Sequence, residues 1–268
     1  MAQQFVIRAN ERNHAIDRSE GRNAAYVSGR KPNYVSRESS FNFHDFQSGR
    51  PGFGAIRVFG DEIFHGEGCG YNMHPHHNFV ICAFVLEGEL THINTAGRGV
   101  VDQLRQGDYY VFSAGSGGKH SELSIGEEDM HAIYLWLMPN KLYLPTTYHR
   151  AHFDFRRRRN RIVQLIGDSD DALPVPQDVR VSRLVTDRDG TYTYTPRSVD
   201  HGTYVFVKEG QVRCGDVTLG PKDSLGISGV ENFECVVADT SDVFFVETVL
   251  INEEARVEAR KQEYAAYL

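Results

Sequence analysis

Four side chains in the middle of the sequence are of the types that hold a transition ion. His74 and His76 stand two residues apart, and His120 and Glu122 repeat that spacing 44 residues beyond His76. In an extended strand a period of two puts each pair on one face. Folding the segment back on itself can therefore bring three imidazoles and one carboxylate together. Three nitrogens and one oxygen suit Fe, Mn, Ni, Cu or Zn, with positions left for water or substrate. His77 is out of phase with His76 and is read as facing the other way. His92 lies in a hairpin whose facing the sequence leaves open, and both are read as ordinary histidines.

The elements that must position these groups read as sheet. Phe79 to Leu86 is an apolar run, Glu87-Gly88-Glu89 a turn, Leu90 to Ile93 a second strand, and Thr95 to Gly99 another turn. Val100 to Leu104, the turn Gly107-Asp108 and Tyr109 to Phe112 complete the series. Short strands between Gly, Asn and Asp turns mark a small antiparallel barrel or jelly roll. Met130 to Met138 is a strand apolar on both faces, one expected to line the cavity and suit an aromatic ligand. Phe53 is placed equally well at the pocket mouth or as a plug in the barrel end.

Met73-His74-Pro75-His76, Phe84-Val85-Leu86-Glu87-Gly88, Gly107-Asp108 and Ala114-Gly115-Ser116-Gly117 through His120-Ser121-Glu122 together resemble the pirin-like bicupins. Phe53-Gly54-Ala55-Ile56-Arg57-Val58 is similar to the lead-in of that family. The resemblance is dense over 41–145 and looser to about Thr248. It implies two tandem cupin domains, with His74, His76, His120 and Glu122 as ligands of one metal ion, usually iron, taken here as Fe(II). Some members open flavonols such as quercetin with dioxygen; others are metal-bearing protein partners in regulation. His77-Asn78 and Val80 depart from the family pattern, and Val80 leaves Glu122 as the carboxylate ligand.

The expected fold class is thus all-β, with two jelly-roll β-barrels and a C-terminal helix. Residues 1–38 read as a loop-rich arm, 39–145 as the metal-binding cupin domain, 146–161 as a connection and 162–251 as a second cupin domain without metal. In the second domain, Val207-Lys208-Glu209-Gly210 echoes Val85-Leu86-Glu87-Gly88, and Pro221-Lys222-Asp223 echoes Gln106-Gly107-Asp108, a weak internal repeat. Its ligands are missing, since His201 stands alone. Residues 252–268 read as a helix capped by Asn252, with acids early and Arg260 and Lys261 late. The arginines at 156–159 are read as ion-paired rather than as a polyanion site, because 29 basic against 36 acidic side chains give a net charge of -7.

Cys69, Cys82, Cys214 and Cys235 show no close-spaced motif and are expected to be free thiols in a reducing cytoplasm, with Cys69 the reactive one. No run is long and apolar enough to suggest a membrane span. The function expected is an Fe-dependent dioxygenase acting on a flavonol or related enolisable aromatic, with dioxygen as co-substrate and Glu122 as ligand and base. The alternatives are an iron-dependent redox-sensing or regulatory protein that binds a protein partner, and a cupin isomerase or lyase.

Overall fold

The structure, a computed structural model, describes residues 2–18, 27–30, 32–43 and 48–250. Regular structure there is strand, apart from one 3-10 turn at Ala9–Glu11. β1 (Gln3–Ile7), β2 (Asn13–Arg18), β3 (Val27–Ser28) and β4 (Tyr34–Ser39) occupy the stretch whose composition suggests loop. Their sequences are short, but β2 alternates half-buried and exposed positions and β4 half-buried and buried ones, as half-covered strands do.

β5 (Ile56–His65), β6 (Cys69–His76), β7 (Val80–Glu87), β8 (Glu89–Asn94), β9 (Val100–Arg105), β10 (Asp108–Ser113), β11 (Gly118–Ser124) and β12 (Met130–Leu137) follow, and of these only β8 and β9 pair as a hairpin, the other turns passing the chain from one sheet to the other. Gly88 closes the β7–β8 turn at φ 69°, where any Cβ would fall 2.4 Å from the carbonyl of Asp129. Only glycine adopts that backbone without strain. After them come β13 (Thr147–His152), β14 (Ile162–Ile166), β15 (Val179–Asp187), β16 (Gly190–Tyr194), β17 (His201–Cys214), β18 (Val217–Leu219), β19 (Ser224–Ser228) and β20 (Phe233–Val249).

The chain divides into two compact units. The first takes the described residues of 13–51 and 56–152. A seven-stranded sheet in the order β13-β10-β7-β12-β5-β4-β2 faces a five-stranded sheet in the order β3-β6-β11-β8-β9. Rings from both meet between them, with Phe64 of β5 5.3 Å from Tyr71 of β6 and Phe112 of β10 5.0 Å from His120 of β11.

The second unit takes 2–12, 52–55 and 153–250. Its sheet runs β1-β19-β17-β20-β15-β14, with β16 against β20 and β18 against β17. Val205, Val207, Val212, Leu225, Val243 and Phe245, all fully buried, form its apolar centre. Each such side chain contributes roughly 1.5–3 kcal/mol on leaving water. β1 lies on the edge of β19, and Arg8 and the Ala9 N–H both bind the Asp223 carboxylate, at 2.7 and 2.9 Å.

Two parts of the expected fold class are corrected. The chain is predominantly β, but no closed barrel forms among the described residues: each sheet ends in free edges, β13 and β2, β3 and β9, β1 and β14. Two of the edges carry polar side chains. β9 and β13 are mostly exposed or half-buried, with Arg150, His149 and His152 turned to water, which discourages edge-to-edge pairing. The described residues also contain no α-helix, and the helix expected at 252–268 lies outside them. No helix of the described residues is long and apolar enough to cross a membrane.

Candidate metal centre

β6 and β11 pair antiparallel so that His120 lies directly opposite His74, and Gly118 opposite His76. The register then slips, and Glu122 pairs with Tyr71 rather than with Asn72. This bulge inserts one extra residue into β6. Gly70 makes the close approach possible: at φ 144°, a Cβ there would sit 2.0 Å from the carbonyl of Glu122.

His74, His76 and His120 converge as the spacing predicts. All three are buried, and their ring centroids are 4.8, 4.5 and 4.8 Å apart. One nitrogen from each falls within 4.8 Å of the others. The His74 Nδ1 is 2.7 Å from the carbonyl of Asn72, which can only accept. Nδ1 therefore carries the proton and Nε2 the lone pair, the tautomer a ligand needs. His120 Nε2 is buried with no hydrogen-bond partner, an arrangement that costs free energy unless something fills it. A cation fits that nitrogen, and the donor set is of the kind transition ions take.

Glu122 is brought near but into a second group, formed with His92 and His120. Its Oε1 accepts the Tyr110 hydroxyl and lies 3.7 Å from His120 Nδ1. His92, read from the sequence as ordinary, is fully buried, with its Nε2 3.1 Å from His120 Nδ1 and its ring stacked 4.1 Å from Tyr110. The pairing that reveals it is register: Glu122 lies opposite His92 across β11 and β8. Tyr110 is the other residue missed, since a tyrosine in an apolar strand carries no signal of its own.

Burial sets the electrostatics. It pushes Glu122 up to about 8, against the pull of the Tyr110 hydrogen bond and Arg37 and with a further push from Glu62. It draws His120 well below the usual histidine range, helped by His74, His76 and His92, lowers His74, and takes His92 down to about 3. Neutral imidazoles are the form that binds metal.

The wall beside the histidines is aromatic. The Trp136 ring meets His76 edge-on at 4.8 Å and is itself met by Phe43 at 5.3 Å. Tyr134, on the same face of β12, stacks over Phe64. His77 stays outside the cluster against Tyr143, and Val80 is fully buried in β7. Phe53 packs on Phe5 in the second unit. Cys69, expected to be reactive, is fully buried, and burial pushes its thiol up to about 11. Of the connection arginines, Arg150 pairs with Asp102, Arg157 with Asp154 and Arg159 with Asp187, so the expected ion-pairing holds for part of the run.

Residues 23–137 match the family model described as Pirin, and 167–248 the one described as quercetinase C-terminal cupin domain. A quercetin 2,3-dioxygenase of Escherichia coli is 26% identical over 227 residues, covering 83% of this chain and 89% of that protein. A pirin-like protein of Caulobacter vibrioides is 28% identical, covering 70% and 84%. The crystal structure of the bacterial pirin YhhW from Escherichia coli in complex with nickel(II) superposes with a TM-score of 0.80 at 22% identity, over 93% of this chain and all of that one, and so shares the fold. Matched in order by a family model in each half and carrying a buried His/Glu cluster suited to a metal ion, the chain matches the pirin/cupin family.

Proposed function

We propose that this chain is a metal-dependent dioxygenase of the quercetinase type, with Fe(II) held by His74, His76, His120 and Glu122. Its substrate class is a flavonol or related enolisable aromatic. The observation that carries the reading is the unpartnered, buried His120 Nε2 facing two further imidazoles beside an aromatic wall. The quercetin 2,3-dioxygenase named among its relatives supports the substrate class.

A bound ion would supply Lewis acidity toward a substrate hydroxyl and electron transfer with dioxygen. The protein's own groups do the rest. The Asn72 carbonyl holds the His74 ring in its ligating tautomer. Trp136 and Phe43 offer edges and faces to an aromatic substrate. Glu122 Oε1, turned from Tyr110 toward the substrate, takes the hydroxyl proton, and the Tyr110 hydroxyl holds that carboxyl before and after. The burial of all three imidazoles keeps bulk water from competing. The second unit serves as a metal-free cupin domain, and a reducing cytoplasm suits the four free, buried thiols.

The test is anaerobic reconstitution with each first-row ion, followed by oxygen uptake over a panel of flavonols and catechols. Iron-loaded protein should consume oxygen in step with loss of a flavonol. If iron, manganese, nickel and copper forms all leave oxygen untouched, the dioxygenase reading falls.

A further inference from the structure

The second unit contains a cysteine pair that the proposed function does not use. Cys214 ends β17, and Cys235 lies directly opposite it on β20. Both are buried, and their sulfurs are 3.0 Å apart. Directly opposed residues of an antiparallel pair have Cα atoms about 4.5 or 5.5 Å apart, inside the window of about 4.4–6.8 Å that a disulfide requires. The pair is too close for a thiolate metal site, where bonds of ~2.3 Å in tetrahedral geometry hold sulfurs ~3.7 Å apart.

We propose that Cys214 and Cys235 are a modification site: a reduced dithiol that closes to a cross-strand disulfide when it meets a small-molecule disulfide. The first step needs access, and the fold provides it at one end. Cys214 is the last residue of β17, beside the turn at Gly215, whose φ is 57°, and β18 covers it with three residues. Fraying of this short hairpin uncovers Cys214 before Cys235, which lies within β20 between β17 and β16. The Cys214 thiolate attacks one sulfur of the reagent R–S–S–R, giving Cys214–S–S–R and releasing R–S⁻. The Cys235 thiolate then attacks Cys214 Sγ and expels the second R–S⁻. Two protein S–H bonds are lost and one S–S bond forms, with two protons passing to the two leaving thiolates. The Cys214 hydrogen bond and burial both disfavour the Cys235 thiolate, which slows the second attack. The site therefore answers to sustained oxidant.

The experiment uses the full-length native protein and 2,2′-dipyridyl disulfide, followed by mass spectrometry of the digest. The expected product is a Cys214–Cys235 cross-link that weighs about 2 Da less than the dithiol, with two thiopyridones released per cross-link and no adduct retained. Closure should raise the melting midpoint by roughly 5–10 °C, as expected for a disulfide closing a loop of this length. Cys214→Ser and Cys235→Ser should each stop at, or short of, a single retained thiopyridyl group. Stable thiopyridyl adducts on wild-type Cys214 without the cross-link would overturn the proposal. So would reaction of this pair only under denaturing conditions.

Discussion

The two units are built on one plan and filled differently. In the first, the N–H of Gly107 donates to Val85 and the N–H of Arg105 to the Asp108 carboxylate. In the second, Lys222 donates to Val207 and Gly220 to Asp223. Counted from the shared Glu-Gly turn, Cys214 falls at the place of His92, and its cross-strand partner Cys235 at the place of Glu122. Phe233 falls at the place of His120, and Tyr194 opposite it at the place of His74. Where one unit has two imidazoles, the other has two rings stacked at 5.6 Å. The scaffold thus leaves its interior open to either filling. The apolar filling gains burial free energy directly, whereas the imidazole filling holds polar atoms out of water and is repaid only when an ion arrives.

The sharpest way to break this comparison is to delete a histidine that the second unit lacks. His120→Ala should reduce bound metal from about one ion per chain to almost none, because losing a direct ligand exceeds the ~10–100-fold cost of losing an outer partner. Elemental analysis after gel filtration reads this, and an unchanged metal content would place the ion elsewhere. Next in size is Glu122→Gln, which keeps an oxygen but removes the basic carboxylate. Turnover of a responsive flavonol should fall by ~10²-fold or more, with a smaller loss of metal. Equal turnover at matched metal content would reject Glu122 as the base.

A smaller effect distinguishes the matching positions His92 and Cys214. His92→Asn should weaken metal binding about 10-fold in chelator competition, since it removes the group against His120 Nδ1. Cys214→Ser should leave metal affinity where it was.

The smallest effect concerns the turn that both units share. Burial works against the Asp223 carboxylate, but the Arg8 side chain and the N–H groups of Gly220 and Ala9 outweigh it and hold the carboxyl below its usual range. A lowered folded-state value stabilises the protein above the unfolded value near ~4, and the benefit is lost as pH falls through the folded value. Asp223→Asn should therefore cost about 1 kcal/mol in urea unfolding at neutral pH. The gap from wild type should close in acid.

The sequence made much of this legible where one residue type has one structural use. Gly88, Gly107 and the period-two histidines announce tight turns and an inward-facing ligand pair, and His74, His76 and His120 do converge. What it left hidden depends on partners. The grouping of Glu122 with His92 and Tyr110 arises from a bulge and a register that no spacing along one strand encodes. The approach of Cys214 to Cys235 is likewise a cross-strand fact, invisible to a search for closely spaced cysteines. Closure of the sheets depends on which strands meet at their edges, and no single strand's composition announces that.

The pairing of β1 with β19 has a consequence in time. Ile7 lies against Ser224 and Gln3 against Ser228, so synthesis of the second unit brackets that of the first. At ~5–20 residues per second, β1 waits on the order of 10–45 s for its partner to be made. For the later part of that interval, once residue 152 has been made, β1 is tethered to a first unit whose described strands are all present, and β19, when it emerges, has an unfilled edge. The earliest part of the chain to be made is among the last to be placed.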